Sequence, residues 1–236
     1  MELIPFENLL YMLIPIIIVW YYYRSATGNS KEVIYATLRM VIQLVAIGYA
    51  LVYIFQNDSW YVGFFIILFM IIMSSFIVLR NIEHKSTILY FIIFFAIAIG
   101  GTFNLVLVIE FVLDLTPFYE PRFVIPIAGM IYANSMNAIS IAAERFEKEL
   151  QNTTLTQART AAFKSSMIPK VNTFLAVGLV SLPGMMTGQI LSGVDPLIAV
   201  RYQIVVMAMV FGSAGMSVLL YLSMLIYTKE RIKYGK

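Results

Sequence analysis

The chain has 236 residues, of which 61% are hydrophobic and only 12% are charged, and its mean hydropathy is +0.85. Soluble domains carry about 25% charged residues, so this composition excludes a water-soluble globular protein, a disordered tail and a nucleic-acid-binding module. The net charge of +3 says little about acidic partners, because cytoplasmic loops of membrane proteins are rich in Lys and Arg. The sequence contains no cysteine, which excludes disulfides and thiolate metal sites.

Apolar stretches near the length of about 20 residues that crosses a bilayer predict an all-α, multi-pass membrane protein with seven transmembrane helices. In chain order they are Leu9–Tyr23, Val33–Phe55, Trp60–Leu79, Ile88–Ile109, Phe123–Ala143, Val171–Val194 and Tyr202–Tyr227. The first stretch ends in aromatic residues followed by Arg24, which is typical of a membrane–water interface rather than of a cleaved signal peptide. We therefore expect one transmembrane domain over residues 1–236.

The basic residues are distributed unequally between the two sides of these spans. All Lys and Arg residues except Arg122 and Arg201 fall on one side, and the positive-inside rule makes that side cytoplasmic. This predicts an N-terminus outside and a C-terminus in the cytoplasm. Glu110 and Asp114 lie one turn apart near the outer end of the fourth span. Carboxylates at this spacing form a weak candidate metal site, and solvated loop acids are the alternative interpretation.

The one long polar connection covers residues 144–170, on the cytoplasmic side. Its first part, Glu144–Leu150, has charges spaced for pairs within a helix. Thr154 or Thr156 is placed to cap a second short helix that ends near Met167. The segment is either a solvated helical hairpin or a docking surface for a soluble partner.

Proline and small residues interrupt the fifth and sixth spans. Breaks of this kind mark substrate paths in transporters, although they also serve as simple kinks, and small faces let membrane helices pack closely. The helix-break and packing residues predicted from this pattern are Pro126, Gly129, Pro183, Gly184 and Gly188.

Polar side chains within the spans are the candidates for a translocation path, because each amide costs free energy in hydrocarbon unless it is paired or hydrated. An arginine near a helix end has the alternative of reaching the headgroups. The candidates are Asn104, Asn134, Asn137, Gln189, Arg39 and Gln43. No span carries the acidic or His relay of an ion-driven carrier. No nucleotide-binding loop or catalytic constellation occurs, so we expect no enzyme activity and no bound cofactor in this chain.

Several motifs resemble one known family. They are Leu38–Leu44 with Gly48-Tyr49, Val124–Ile131 with Asn134-Ser135-Met136, Ile168-Pro169, Val177–Met186, and Gly193–Pro196 followed by Tyr202-Gln203-Ile204. They are similar to the FetB-type family of iron-export ABC transporter permeases, which has relatives in plant aluminium tolerance. The resemblance covers the chain from about residue 30. The segment Asn152–Thr156 differs from the family pattern and shortens the cytoplasmic connection.

The resemblance implies a multi-pass permease of the cell inner membrane that exports metal ions, iron by analogy. It implies a permease homodimer, paired with separate ABC ATPase subunits that use the ATP. The family uses the cytoplasmic segment for ATPase coupling, and here the candidate coupling residues are Leu150, Leu155, Thr156, Gln157 and Arg159. Two alternatives remain open at this point: a non-transporting scaffold or regulatory subunit, and a permease for a non-metal solute such as a nucleotide sugar.

Overall fold

The structure, a computed structural model, describes residues 5–29, 31–56, 59–80, 82 and 85–234, without the side chains of residues 6 and 230–234. The described residues are mainly helical, and an isolated bridge between Val177 and Ser181 is the one β-type pairing among them. The prediction of an all-α fold is therefore confirmed. The chain divides into two compact units, Met1–Asn57 and Asp58–Lys236.

The first unit consists of a short helix, a 3₁₀ turn and two long helices. They are α1 Phe6–Leu9, the turn Leu10–Met12, α2 Leu13–Thr27 and α3 Lys31–Ile54. Helix α2 ends at Gly28, whose φ of 71° gives the left-handed conformation that glycine adopts at little cost. Tyr23 Oη donates a hydrogen bond of 2.7 Å to Glu32 Oε2 and so connects α2 to α3.

The second unit is a bundle of six helices and one π-helical turn. Their bounds are α4 Trp60–Arg80, α5 Thr87–Val106, the π-helical turn Leu107–Val112, α6 Pro121–Leu150, α7 Leu155–Ala176, α8 Gly184–Leu191 and α9 Pro196–Tyr234. Helices α5, α6 and α9 pack against one another at its centre. Small residues make this close packing possible, because helices in a membrane approach through van der Waals contact and hydrogen bonds.

Three serines illustrate the contact between α6 and α9. The Ser135 hydroxyl donates to the backbone oxygen of Ser213 at 3.2 Å, and the Ser217 hydroxyl donates to Ser135 Oγ at 3.1 Å. All three residues are fully buried. Their hydroxyl groups therefore find partners within the protein, as buried polar groups must.

Six helices of the described residues are long and apolar enough to cross a membrane, one fewer than predicted. They are Glu7–Thr27, Lys31–Ile54, Trp60–Arg80, Thr87–Val112, Pro121–Leu150 and Pro196–Lys229. The difference lies at the predicted sixth span, Val171–Val194, which is not one continuous helix. Helix α7 enters it from the cytoplasmic segment and ends at Ala176, and α8 begins only at Gly184. The prediction of seven transmembrane helices is therefore not confirmed at this span, where the helix is interrupted between Ala176 and Gly184.

Candidate functional site

The interruption between α7 and α8 is a compact turn. The carbonyl of Ala176 accepts backbone hydrogen bonds from Leu179, Val180 and Ser181, at 2.8–3.3 Å. Gly178 takes a φ of 80°, a left-handed conformation that favours glycine. Pro183 then lies just before the first residue of α8, where the lack of a backbone N–H costs no helical hydrogen bond. The helix is therefore interrupted directly before Pro183, and the role of Pro183 and Gly184 at a functional break stays a prediction.

A cavity of about 280 Å³ lies beside this break, between α6, α7, α8 and α9. Its polar lining residues are Asn134, Lys170, Thr173 and Gln203. Lys170 Nζ donates a hydrogen bond to Asn134 Oδ1, and Asn134 Nδ2 donates to the backbone oxygen of Met130 at 2.8 Å. Gln203 is only 5% exposed, and its Oε1 and Nε2 have no hydrogen-bond partner among the described residues.

A second cavity, of about 530 Å³, adjoins the first. The two share Met130, Met185 and Val206 in their walls. The second cavity extends to Arg122 in the first turn of α6, and it is lined also by Gln189, whose buried Oε1 has no partner among the described residues. Together the cavities offer amide and basic groups inside an otherwise apolar bundle.

The structure brings together two of the predicted path residues, Asn134 and Gln189, on adjoining cavities. Asn104 lies elsewhere: it is buried, and its Nδ2 donates to the backbone oxygen of Gly100 at 2.8 Å. Asn137 is exposed on α6 and lines neither cavity. Arg39 and Gln43 lie one turn apart on α3 of the first unit, Arg39 half-buried and Gln43 exposed.

The predicted packing glycines are not at close contacts within the chain. A methyl group added at Gly129, Gly184 or Gly188 would have no neighbour within 4 Å. Pro126 lies inside α6 without ending it, because α6 runs from Pro121 to Leu150. Helix α6 therefore continues through Pro126. Close helix contacts at the three glycines stay a prediction, since the described residues of this chain place no neighbour there.

Other glycines make the close contacts instead. A methyl group at Gly100 would lie 2.6 Å from Ser217 Oγ, and one at Gly212 would lie 2.7 Å from Asn104 Oδ1. Both positions are in the interface between α5 and α9. Asn104 therefore belongs to a helix contact in this structure, and its side chain occupies the space that Gly212 leaves.

Among the described residues, the structure adds no third ligand to the candidate metal site of Glu110 and Asp114. Glu110, in the π-helical turn, and Asp114, with a φ of 48°, are both exposed. Among the described residues no group of three or more His, Cys, Asp or Glu side chains is placed to hold a metal ion. Glu110 and Asp114 as metal ligands stay a prediction.

The cytoplasmic segment forms a tight hairpin between α6 and α7. Thr154 is the N-cap of α7: its Oγ1 accepts from Gln157 N at 3.4 Å, while Gln157 Oε1 accepts from Thr154 N at 3.2 Å. This capping box satisfies two free backbone donors. The predicted cap at Thr154 is confirmed, but the helix that it starts continues nine residues beyond Met167 to Ala176.

The other coupling residues divide between core and surface. Leu150 and Leu155 pack against the core of the bundle, whereas Thr156 and Gln157 are exposed. The Arg159 guanidinium donates to Ser223 Oγ at 3.2 Å and so connects α7 to α9. The hairpin is thus attached firmly to the bundle and still presents a polar surface.

Sequence reasoning missed Lys170 and Gln203 as site residues. Lys170 is the last residue of the predicted cytoplasmic connection 144–170, directly before the predicted span Val171–Val194. A helix that begins after the cap at Thr154 and continues to the first strong helix stop, at Gly178, contains Lys170. Gln203 lies within an apolar span, where an amide side chain costs free energy unless it is hydrogen-bonded. This cost is the property that identifies Gln203 from the sequence.

Comparison with known proteins identifies relatives over most of the chain. The model of the uncharacterised protein family UPF0014 matches residues 6–156 and 151–229. The membrane protein YjkA of Bacillus subtilis (strain 168) is 34% identical over 85% of this chain and 84% of its own. The probable iron export permease protein FetB of Escherichia coli (strain K12) is 31% identical over 84% of this chain and 81% of its own.

A plant relative is also similar. The protein ALUMINUM SENSITIVE 3 of Arabidopsis thaliana is 30% identical over 83% of this chain and 76% of its own. No solved structure matches significantly. The resemblance inferred from the motifs is therefore confirmed, and the chain belongs to the UPF0014 family of membrane proteins.

Proposed function

We propose that this chain is the membrane-spanning permease subunit of an ABC exporter of iron, with ATP hydrolysed by a separate subunit. The observation that carries the proposal is the discontinuous segment between Ala176 and Gly184, beside which two cavities adjoin. Discontinuous membrane helices form the substrate sites of many transporters. The relative FetB, a probable iron export permease, supports the substrate and the direction of transport.

The proposed topology has seven crossings, with α7 and α8 together making the sixth. Lys170 of α7 contacts Asn134, which lies 13 residues after the first residue of α6, or about 20 Å at about 1.5 Å per residue. Gln189 of α8 shares a cavity with Arg122 in the first turn of α6. The α7–α8 segment therefore follows α6 back towards its start. With the basic residues in the cytoplasm, the N-terminus lies outside, and the membrane is the cell's inner membrane.

The proposed assembly is a permease homodimer. The face of α6 that carries Ala133 and Asn137 is exposed although it is small and polar, whereas a lipid-facing surface is normally large and apolar. In the break, Leu179 and Val180 are 88% and 84% exposed. Irregular backbone at membrane depth is tolerated only where protein or a water-filled cavity surrounds it. A second copy of the chain, packed against this side, meets both requirements.

Because the chain has no cysteine, crosslinking of single-cysteine variants tests the dimer directly. We expect Ala133→Cys and Leu179→Cys to form disulfide-linked dimers in membranes on mild oxidation. The matched control is Phe95→Cys, at an exposed aromatic residue on α5, which we expect to stay monomeric. Equal crosslinking of all three variants, or of none, would contradict this interface.

The α6–α7 hairpin is the proposed ATPase coupling element. It presents Thr156, Gln157 and Arg159 on its outer surface, and it is held to α9 through Ser223. Movement of a bound ATPase would therefore reach two helices that line the first cavity. Energy enters the proposed mechanism at this point, since this chain has no nucleotide-binding loop.

The function is tested with the purified permease and the ATPase of its own transport system in proteoliposomes. We expect iron to move in one direction only when ATP is supplied on the ATPase side. A complex that binds the ATPase but moves neither iron nor an organic solute would support the scaffold alternative. ATP-driven movement of a nucleotide sugar without iron would refute the substrate and leave the transport class in place.

A further inference from the structure

The cavity beside the helix break has an unusual charge balance. Lys170 is the one charged residue among the described residues that line it, and no carboxylate contributes to its wall. Lys170 is half-buried, and its described hydrogen bond goes to a neutral amide oxygen, that of Asn134. A partly buried ammonium group without a carboxylate partner is costly. The site therefore favours an anion.

The N-terminus of α8 adds donors at the same place. The first intrahelical bond of α8 runs from Thr187 N to Pro183 O, at 3.0 Å. The N–H groups of Gly184, Met185 and Met186 precede it and have no acceptor within the helix, and no side chain caps this end. Pro183 and Met185 line the cavity. Free N–H groups and the helix dipole together attract negative charge.

Gln203 supplies an independent observation in the wall of the same cavity. It belongs to α9, it is only 5% exposed, and both polar atoms of its amide lack a partner among the described residues. A buried amide without hydrogen bonds costs free energy. A ligand in the cavity would provide the missing acceptor for Nε2.

The neighbouring cavity repeats the pattern. Arg122 is the charged residue in its described lining, again without a carboxylate. The two cavities meet at Met130 and Met185. A solute that leaves the first cavity towards the outer end of α6 therefore passes from one basic group to another.

We propose that the cavity at the helix break binds the carboxylate or phosphate group of an anionic solute, with Lys170, the N-terminus of α8 and Gln203 as its donors. A bare metal cation is repelled by Lys170. Iron would accordingly pass this point in complex with an anionic chelator. The inference that iron is transported with an anionic chelator rests on the proposed transport function. The inference that the cavity binds an anion does not depend on it.

The test measures binding to the permease alone. The purified chain is placed in phosphatidylcholine nanodiscs without an ATPase, and equilibrium dialysis is run with labelled citrate and with labelled inorganic phosphate. We expect saturable binding of at least one of them, weakened about tenfold or more in Lys170→Met, since a charged hydrogen bond is lost. Lys170→Arg keeps the charge and should retain binding. Lys148→Met is the matched control, because Lys148 is paired with Glu144 on the exposed end of α6.

A second measurement covers the case that Lys170→Met does not fold. Thr173 lines the cavity and is exposed to it, so Thr173→Cys gives a single thiol in an otherwise cysteine-free chain. We expect citrate or phosphate, but not choline chloride, to slow maleimide labelling of this thiol. No protection by either anion would overturn the proposal, as would full binding by a folded Lys170→Met variant.

Two further arms identify the source of the anion and separate this proposal from the transport function. Phosphatidylglycerol added to the nanodiscs removes citrate or phosphate binding if a lipid headgroup occupies the site, and leaves it unchanged if the ligand is a water-soluble anion. ATP-driven iron efflux without any anion binding would refute the anion site alone. Anion binding without efflux would refute transport and leave the site intact.

Discussion

Substitution of Gly100 by alanine tests the packing at the centre of the bundle. A methyl group there would lie 2.6 Å from Ser217 Oγ, 2.8 Å from Ser217 N and 3.0 Å from Ser217 Cα. Two of these three atoms belong to the backbone of α9, so no change of rotamer removes the overlap. Helices α5 and α9 must instead separate by several tenths of an ångström, which loosens the neighbouring contact between Asn104 and Gly212.

The expected change in the free energy of unfolding combines two opposing effects. Overpacking of a well-packed core costs typically about 1–3 kcal/mol, whereas replacement of glycine by alanine within a helix gains up to about 1 kcal/mol. We expect a net loss of about 1–2 kcal/mol. At about 2–4 °C per kcal/mol for a chain of this size, the Tm should fall by roughly 2–8 °C.

The assay is thermal unfolding of the purified permease in detergent, followed by loss of the monodisperse peak in size-exclusion chromatography. Gly188→Ala is the control, because it is also a helical glycine and its new methyl group has no neighbour within 4 Å. We expect Gly188→Ala to keep or raise the Tm. Equal Tm values for the two variants would refute the reasoning, since helix propensity alone would then account for both.

Further predictions concern the hairpin and the topology. Thr154→Ala removes the capping box of α7 and should destabilise its first turn by about 0.5–2 kcal/mol, seen as faster amide exchange over 155–158 and not in α9. Charge reversal at Arg159 should lower ATP-driven efflux while membrane insertion is unchanged; unaltered efflux would count against the coupling role. Asn137→Leu should leave the folded protein intact and reduce crosslinking through Ala133→Cys if the second copy packs there. A reporter in the loop at Asp114 should be external, and a cytoplasmic signal would refute the orientation.

The overall architecture was predictable because hydrophobic length and capping are local properties. The spans predicted from Trp60 onward coincide with helices except at 171–194, and Thr154, one of the two predicted caps, is the N-cap of α7. Pro183 was identified as a helix break for a similar reason, since proline lacks a backbone N–H and marks the start of the next helix.

The contacts between helices were not predictable in the same way. Gly100 and Gly188 both lie within predicted apolar spans. A methyl group added at Gly100 would overlap the backbone of Ser217, whereas one added at Gly188 would have no neighbour within 4 Å. The pattern of small residues shows which faces permit close approach, and it carries no information on which faces are used within one chain and which remain for a partner. The same limit applies to Asn104 and Asn134, an amide in a helix contact and an amide in a cavity.

The length of helix α9 determines how far its ends move when it tilts. Its 39 residues extend over about 58 Å, nearly twice the roughly 30 Å of a hydrocarbon core. Gln203 lies within its first three turns, and Ser223, which contacts Arg159, lies towards its other end. A rigid rod of this length acts as a lever: a tilt of about 10° around its midpoint displaces each end by about 5 Å. Gln203 lies 12 residues, or about 18 Å, from that midpoint, and the same tilt moves it by about 3 Å. Under the proposed coupling, a small rotation at the cytoplasmic hairpin would therefore change the width of the cavity at Gln203 by about this distance.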